Sequence, residues 1–439
     1  MSPSEPLPIL DYARLDAAGR RAALERPAAD DRAQIIAAVR ETVRDVQARG
    51  DAAVLEYAAR FDGGAPERLR VPALQIDAAL DALTAEQRSA LERAIANVSR
   101  FHEAQRPAPL DLETAPGVRC ERILRPLDSV GLYVPAGSAP LPSALIMSAV
   151  PAAIAGVPRR VLCSPARGGR VHSAILATAR LCGVEEVYAI GGAQAIAALA
   201  YGTETLPKVD KIVGPGSAWV TAAKQVVAED PSGAALDLPA GPSEVMVIAD
   251  DTARPEFVGA DLLAQAEHDP LSQALLLTPS HTLAAAVRTA ALSLSNGLSR
   301  RTILQESLAR SRLIVVRDLD EAFDLANAYA PEHLLIQCTD ARGRLAQVRA
   351  AGSVFLGPWS PEPMGDYCSG TNHVLPTYGY ARAYSGLSVL DFLRRITVQE
   401  LTPDGLRDLG PVARTLAHLE GLDAHALAVE LRLSALGAP

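Results

Sequence analysis

SVGLYVPAG (129–137), SALIMSAVPAAIAGV (143–157), RRVLCSP (159–165), HSAILATARLCGV (172–184), EEVYAIGG (185–192), AQAIAALAYGT (193–203) and VDKIVGPG (209–216) follow one another with little between them. The first, third, fifth and seventh are short, largely apolar runs ending at Gly or Pro, as buried strands do. The others are Ala-rich and long enough for helices. Parallel strands need crossover connections, so this alternation predicts an α/β domain with a mainly parallel sheet. Ligands gather outside the carboxyl ends of the strands in such sheets. The residues expected there are Tyr133, Gly191 and Gly192 with Gln194, and the turn Gly214-Pro215-Gly216. Gly191-Gly192 ends a strand and opens a helix, a place suited to a phosphate on backbone N–H groups. No complete GxGxxG stands at these turns, and glycines used for tight turns account for the same residues.

Working outward, DLPAGPS (237–243) closes this domain. A second alternation follows: an apolar strand over 244–249, a helix over 255–265, ALLLTP (274–279), AAAVRTAALSL (284–294), SRLIVV (311–316) and LDEAFDLANAYA (319–330). This region is expected to pack with residues 31–130, because a parallel sheet is covered by helices on both faces. Upstream, Ile35, Ile36, Val39, Val43, Val46, Val54 and Leu55 recur at helical spacing, with a break near Gly50-Asp51. Residues 80–105 read as helix and 111–127 as strand. Residues 1–30 read as a Pro-rich arm with a short helix. Residues 386–400 and 404–433 read as helices of a tail.

Composition removes several classes of function. The chain has 439 residues, enough for two or three domains, and 49% of them are hydrophobic, so it is globular rather than disordered. Its net charge, 42 − 51 = −9, argues against a general nucleic-acid binder, which needs a basic face. The five cysteines stand at 120, 163, 182, 338 and 368 without a CxxC pair, so neither a thiolate zinc site nor a disulfide framework is indicated. No basic segment followed by an apolar core opens the chain, and the longest small-apolar run, 143–157, is short for a membrane span and contains Pro151. A cytoplasmic enzyme is the class expected.

The chemistry-bearing stretch is GPWSPEPMGDYCSGTNHVLP (357–376), with four Pro and three Gly. No helix or strand is expected to run through it, since both residue types weaken regular elements. Asp366 and His373 are its groups able to bind a metal or move protons, although a solvated loop with a surface His would read the same way. In QAEHDP (265–270), Gln265 and His268 are three apart and share a helix face; a solvated helix end is the plainer reading. In APEHL (330–334), Pro331 stands where a helix could start. A helix N-terminus there would favour an anionic Glu332 and a neutral His333 able to act as a base. His425 lies in a tail helix, five residues after Glu420.

Taken together, these blocks resemble the histidinol dehydrogenase family over nearly the whole chain. The likeness rests on GLYVPAGSAPLPS (131–143), GGAQAIAALAYGT (191–203), VDKIVGPG (209–216), DLPAGPSEV (237–245), DLLAQAEHDPLSQ (261–273), APEHLLI (330–336), SPEPMGDYCSGTNHVLPTYGYAR (360–382) and TVQEL (397–401). It implies two incomplete Rossmann-like α/β domains with mainly parallel sheets, an N-terminal arm and a helical C-terminal tail. Residues 31–130 with 243–386 would form the large domain carrying the metal and acid–base groups. Residues 131–242 would bind the nucleotide, and 387–439 would reach the partner of a homodimer. The resemblance further implies Zn2+ held by Gln265, His268, Asp366 and His425, the last from the partner subunit. Glu332 and His333 match the acid–base pair. Ser243, His373 and Glu420 match substrate contacts, as do His333 and the four metal ligands. Tyr133 and Gln194 match the NAD site. Ser217 stands where Asn is expected, which shortens the reach of that cofactor contact.

The implied reaction is oxidation of L-histidinol through its aldehyde to L-histidine with two NAD. In it His333 takes the alcohol proton and Glu332 activates water. A thiohemiacetal on Cys368 is not expected, because no base stands by for it, and Cys163 and Cys182 read as core residues. Rival readings are a related zinc- and NAD-dependent dehydrogenase acting once on another amino alcohol or diol, a zinc hydrolase, and a non-catalytic structural dimer. Reduction of NAD, its binding and the presence of zinc discriminate them.

Overall fold

The computed structural model describes residues 5–27, 32–136, 139–239 and 241–437. Gly137 and Ser138, at the end of the first strand block, and Ala240 in DLPAGPS lie outside the described residues, as do 1–4 and 28–31 of the predicted arm and the helix after it. In chain order the strands are β1 (Ile9–Asp11), β2 (Leu110–Ala115), β3 (Val118–Pro126), β4 (Ser129–Tyr133), β5 (Arg159–Cys163), β6 (Glu186–Tyr188) and β7 (Lys211–Val213). They continue as β8 (Ala235–Leu236), β9 (Glu244–Ala249), β10 (Gln273–Thr278), β11 (Arg312–Val315), β12 (His333–Gln337), β13 (Ser353–Leu356) and β14 (Leu393–Leu401). The chain divides into two compact units, residues 1–105 with 128–391, and residues 106–127 with 392–439.

Two sheets, parallel throughout, build the first unit. One has the order β6-β5-β4-β7-β8, the other β1-β11-β10-β9-β12-β13. Counted from β4, the first is wound 3-2-1-4-5. Counted from β9, the second has the same winding, with β1 added at its edge. This is the doubly wound order 3-2-1-4-5-6, stopped one strand short, and it bears out the predicted α/β class.

Alternation of side chains decides what each face meets. On the longer sheet, Val245, Val247, Leu276 and Leu335 pack with Val258, Leu262 and Ala266 of helix Pro255–Ala266. Met246, Ile248, Leu277 and Leu334 pack with Phe323, Ala326 and Tyr329 of helix Leu319–Tyr329. Both faces are thus covered by helices from within 243–386. The expectation that 31–130 packs there is corrected: Val39, Val43, Val46 and Val54, from helices Arg32–Arg49 and Asp51–Phe61, pack with Ile196 and Leu199 of helix Gly192–Tyr201 and with Val161 and Ile212 of the shorter sheet.

One expectation is filled out and one changes. The N-terminal arm carries its short helix, Ala17–Ala23, and is tied down, because Ile9 to Asp11 pair in register with Leu313 to Val315 and Leu7 is fully buried. Residues 393–401 are not helical. They form β14, nine residues paired antiparallel to β3 from Leu393–Pro126 to Leu401–Val118. With β2 they make the sheet of the second unit, which also holds helices Pro403–Leu419 and Asp423–Ala435. Arg394, Ile396 and Val398 alternate with Arg395, Thr397 and Gln399, a period of two that outweighs any helical spacing. Among the described residues no helix is long and apolar enough to cross a membrane.

Candidate functional site

Two places in the first unit gather the predicted residues. The first is a cleft of about 960 Å³, lined by Tyr133, Gln194 and Ser217 together with Asp62, Arg167 and Trp219. It stands at the carboxyl ends of β4, β6 and β7, where the winding reverses, as the strand–helix alternation predicts. Gly214 allows this closeness: its φ is +119°, and a Cβ there would overlap the Tyr133 carbonyl oxygen. Gln194 is buried with its amide nitrogen unpartnered. Of the two readings open at Gly191-Gly192, glycines used for a tight turn are favoured, because both N–H groups are met from within the chain. The Gly192 N–H donates to the Tyr133 hydroxyl at 3.1 Å, and the Gly191 N–H donates to the Asp62 carboxylate at 3.2 Å. Burial raises the Asp62 pKa, opposed by that N–H.

The second place lies at the amino edge of the longer sheet, at the start of β9 and β12, which are again the neighbours where its winding reverses. Residues 333–337 form a strand, not the helix expected after Pro331. Val245 pairs with His333 and turns the same way, so the imidazole projects onto the face covered by helix Pro255–Ala266. That helix presents Gln265 in its last turn, fully buried, with both amide atoms unpartnered. His268 follows just past the helix end, its N–H donating to the Gln265 carbonyl at 3.2 Å. The His268 Nδ1 is 3.4 Å from the Ser243 hydroxyl.

The Gly- and Pro-rich stretch does contain a helix, Glu362–Tyr367, preceded by Pro361 and with Pro363 in its first turn, where no intrahelical N–H is lost. One turn of helix puts Glu362 and Asp366 on one face. Glu362, missed in the sequence, is 1% exposed, and ligand atoms of His268, Glu362 and Asp366 lie within 4.8 Å of one another. Its signal was the four-residue spacing to Asp366, hidden by the surrounding Pro. His373 is oriented by its Nδ1–H, which donates to the Asp366 carbonyl at 2.8 Å.

His333 is 3% exposed. Its Nδ1 donates to the Glu244 carbonyl at 3.2 Å, which leaves Nε2 facing Asp366 Oδ1 at 3.4 Å and Glu362 Oε1 at 4.0 Å. The helix start from which a neutral His333 is expected gives way to a strand. Burial lowers its proton affinity, but Glu332 and Asp366 outweigh burial and raise the pKa to about 10. Burial lifts the Glu332 carboxyl to about 8, against the pull of His333. Burial also raises Glu362, helped by Asp366, whereas His333 and His373 overcome burial at Asp366 and hold it ionised. Cys163 is buried, and burial lifts the Cys182 thiol to about 12, so neither is a nucleophile.

Glu420 and His425 belong to the second unit. Glu420 caps the end of helix Pro403–Leu419, His425 lies in the first turn of helix Asp423–Ala435, and both are exposed.

The family model described as histidinol dehydrogenase matches residues 24–433. Histidinol dehydrogenase of Vibrio parahaemolyticus is 52% identical over 415 residues, 94% of this chain and 96% of its own length. That of Xanthomonas axonopodis pv. citri is 53% identical over 426 residues, 97% of this chain and 99% of its own. Among solved structures, histidinol dehydrogenase from Elizabethkingia anophelis matches with a TM-score of 0.93 at 40% identity, covering 99% of both chains.

Proposed function

The chain belongs to the histidinol dehydrogenase family, and from that premise we propose how its own residues oxidise L-histidinol to L-histidine in histidine biosynthesis. One observation carries the reading. Both amide atoms of Gln265, His333 Nε2, Glu362 Oε1 and Asp366 Oδ1 are buried without hydrogen-bond partners, and ligand atoms of His268, Glu362 and Asp366 lie within 4.8 Å of one another. Unpartnered buried polar atoms are rare and need an explanation. A nitrogen- and oxygen-donor set of this kind fits Zn2+. Gln265, His268 and Asp366 would hold it, with His425 of the partner in a homodimer. The cleft lined by Tyr133, Gln194 and Ser217 has the size and the free amide donor that fit NAD. Bound zinc supplies a Lewis-acidic anchor for substrate nitrogens, and bound NAD supplies the hydride acceptor.

The rest falls to side chains. Ser243, His373 and the partner's Glu420 orient the substrate. His333 takes the alcohol proton on Nε2 as the hydride departs, because Nδ1 is held by the Glu244 carbonyl. A divalent charge on Asp366 would cancel much of the field that keeps His333 protonated, as base catalysis near neutral pH requires. Glu332 then withdraws a proton from the water that adds to the aldehyde. The hydrate loses a second hydride and proton to give the acid. The enzyme is cytoplasmic in this reading.

The test is NADH formed per L-histidinol, before and after chelation. Two NADH, lost with the metal and restored by Zn2+, are expected. One NADH would remove the aldehyde step. With Glu332→Gln, full alcohol-to-acid turnover should fall by about 10²- to 10⁴-fold; undiminished turnover would remove its role.

A further inference from the structure

Glu244 stands first in β9 and touches both acid–base residues with its main chain. Its N–H donates to Glu332 Oε2 at 2.8 Å, and its carbonyl accepts from His333 Nδ1 at 3.2 Å. The first bond fixes the Glu332 carboxylate. The second fixes the His333 tautomer, since a carbonyl can only accept. One peptide position thereby sets both groups.

That position is held from a distance. The Glu244 carboxylate is 2% exposed and is gripped by Arg26, whose Nε donates to Oε1 at 2.5 Å and whose Nη2 donates to Oε2 at 3.0 Å. The same Nη2 donates to the Tyr329 carbonyl at 2.9 Å, and the guanidinium lies over the Tyr329 ring, 3.7 Å from its centroid. The Tyr378 N–H donates to Oε1 at 2.9 Å and fills its remaining acceptor site. A two-pronged, stacked guanidinium is a geometric clamp that a point charge does not reproduce. Buried ion pairs are weak sources of stability, so this one calls for another account.

We propose that Arg26, in the N-terminal segment, is a positioning residue for the oxidation: by clamping Glu244 it holds the peptide groups that orient Glu332 and His333. The inference rests on the functional reading above. Arg26 carries no role in that reading, and Glu244 enters it only through the main-chain carbonyl that holds His333 Nδ1.

The experiment uses the zinc-loaded enzyme and measures kcat, the KM for L-histidinol, NAD affinity and zinc content for wild type, Arg26→Lys and Arg26→Ala. Arg26→Ala is expected to lose about 10- to 100-fold in kcat, the scale of outer-shell groups, with KM, NAD affinity and zinc content within about twofold. Millimolar guanidinium should restore part of the rate, and Arg26→Lys should fall between the two. A mere structural weakening would lower the melting temperature without a guanidinium-dependent kcat. An unchanged kcat, or a fall matched by zinc loss or a proportional rise in KM, would overturn the proposal. If Arg26→Ala does not fold, Arg26→Lys carries the test, and a wild-type kcat in it would be decisive against the clamp. Wild type failing to form NADH from L-histidinol would instead refute the functional reading, independently of Arg26.

Discussion

Glu332 and His333 are neighbours in sequence with separate tasks, and their side chains stay close, His333 Nδ1 lying 3.6 Å from Glu332 Oε2. Glu362 is one of the three residues, with His268 and Asp366, whose ligand atoms lie within 4.8 Å of one another. Glu362→Gln should keep the fold and weaken zinc binding by about 10- to 100-fold, read by competition with a chromophoric chelator. Asp261, one helical turn before Gln265, is buried and accepts from Gln337 Nε2 at 2.5 Å. Burial raises its pKa to about 7, with the Gln337 bond opposing. The native state therefore holds a proton that the unfolded chain has released, so stability is lost as pH rises from about 4 to 7. Asp261→Asn should flatten this part of the curve, with a gain above pH 7 of at most about 4 kcal/mol. Urea midpoints at pH 5 and pH 8 give the difference. Most site residues were legible as motif positions. Glu362 was not, because Pro and Gly around it argued for loop, although Pro in a first helical turn costs little.

At the scale of elements, periodicity identified both α/β alternations, and Tyr133, Gly192 and Ser217, the last just after the Gly214–Gly216 turn, do border one cleft. One reading fails for a physical reason. Pro331-Glu332 suggests a helix start, whereas the apolar run Leu334 to Ile336 is a buried strand between β9 and β13. Short apolar runs carry no period that separates strand from helix. Of the two readings open at Gly191-Gly192, the tight turn prevails, because an acid distant in sequence, Asp62, occupies the Gly191 N–H. Gly214 offers the cleanest test of the cleft. Gly214→Ala forces a positive φ on a residue with a Cβ and pushes it into the Tyr133 carbonyl. It should weaken NAD binding at least about tenfold and destabilise the protein by about 1–3 kcal/mol. Quenching of Trp219, which lines the cleft, reports the first effect, and thermal melting the second.

At the scale of the molecule, two sheets with one winding order carry their candidate sites at opposite ends: the cleft at the carboxyl ends of one, the acid–base pair at the amino ends of the other. Placing a ligand site at the carboxyl ends served the first sheet and would have missed the second. The coverage of the sheets was illegible because helix faces do not encode which sheet they meet. The assembly proposal makes a sharp prediction. His333→Ala and His425→Ala chains, each inactive alone, should regain activity when mixed as heterodimers. If each tail completes its partner's site, the His425→Ala chain supplies His333 and receives the partner's His425. Such heterodimers should show about half the wild-type rate. No recovery in purified, differently tagged heterodimers would mean that each tail serves its own chain.

The edge strand β1 carries a consequence for biosynthesis on the ribosome. The shorter sheet draws only on residues 129–236 and can close while synthesis continues. Ile9 to Asp11 must wait for Leu313 to Val315, some three hundred residues later, and residues 118–126 wait a somewhat shorter span for 393–401. The nascent chain therefore holds its earliest segment open through most of translation, the state in which a growing polypeptide depends most on chaperones.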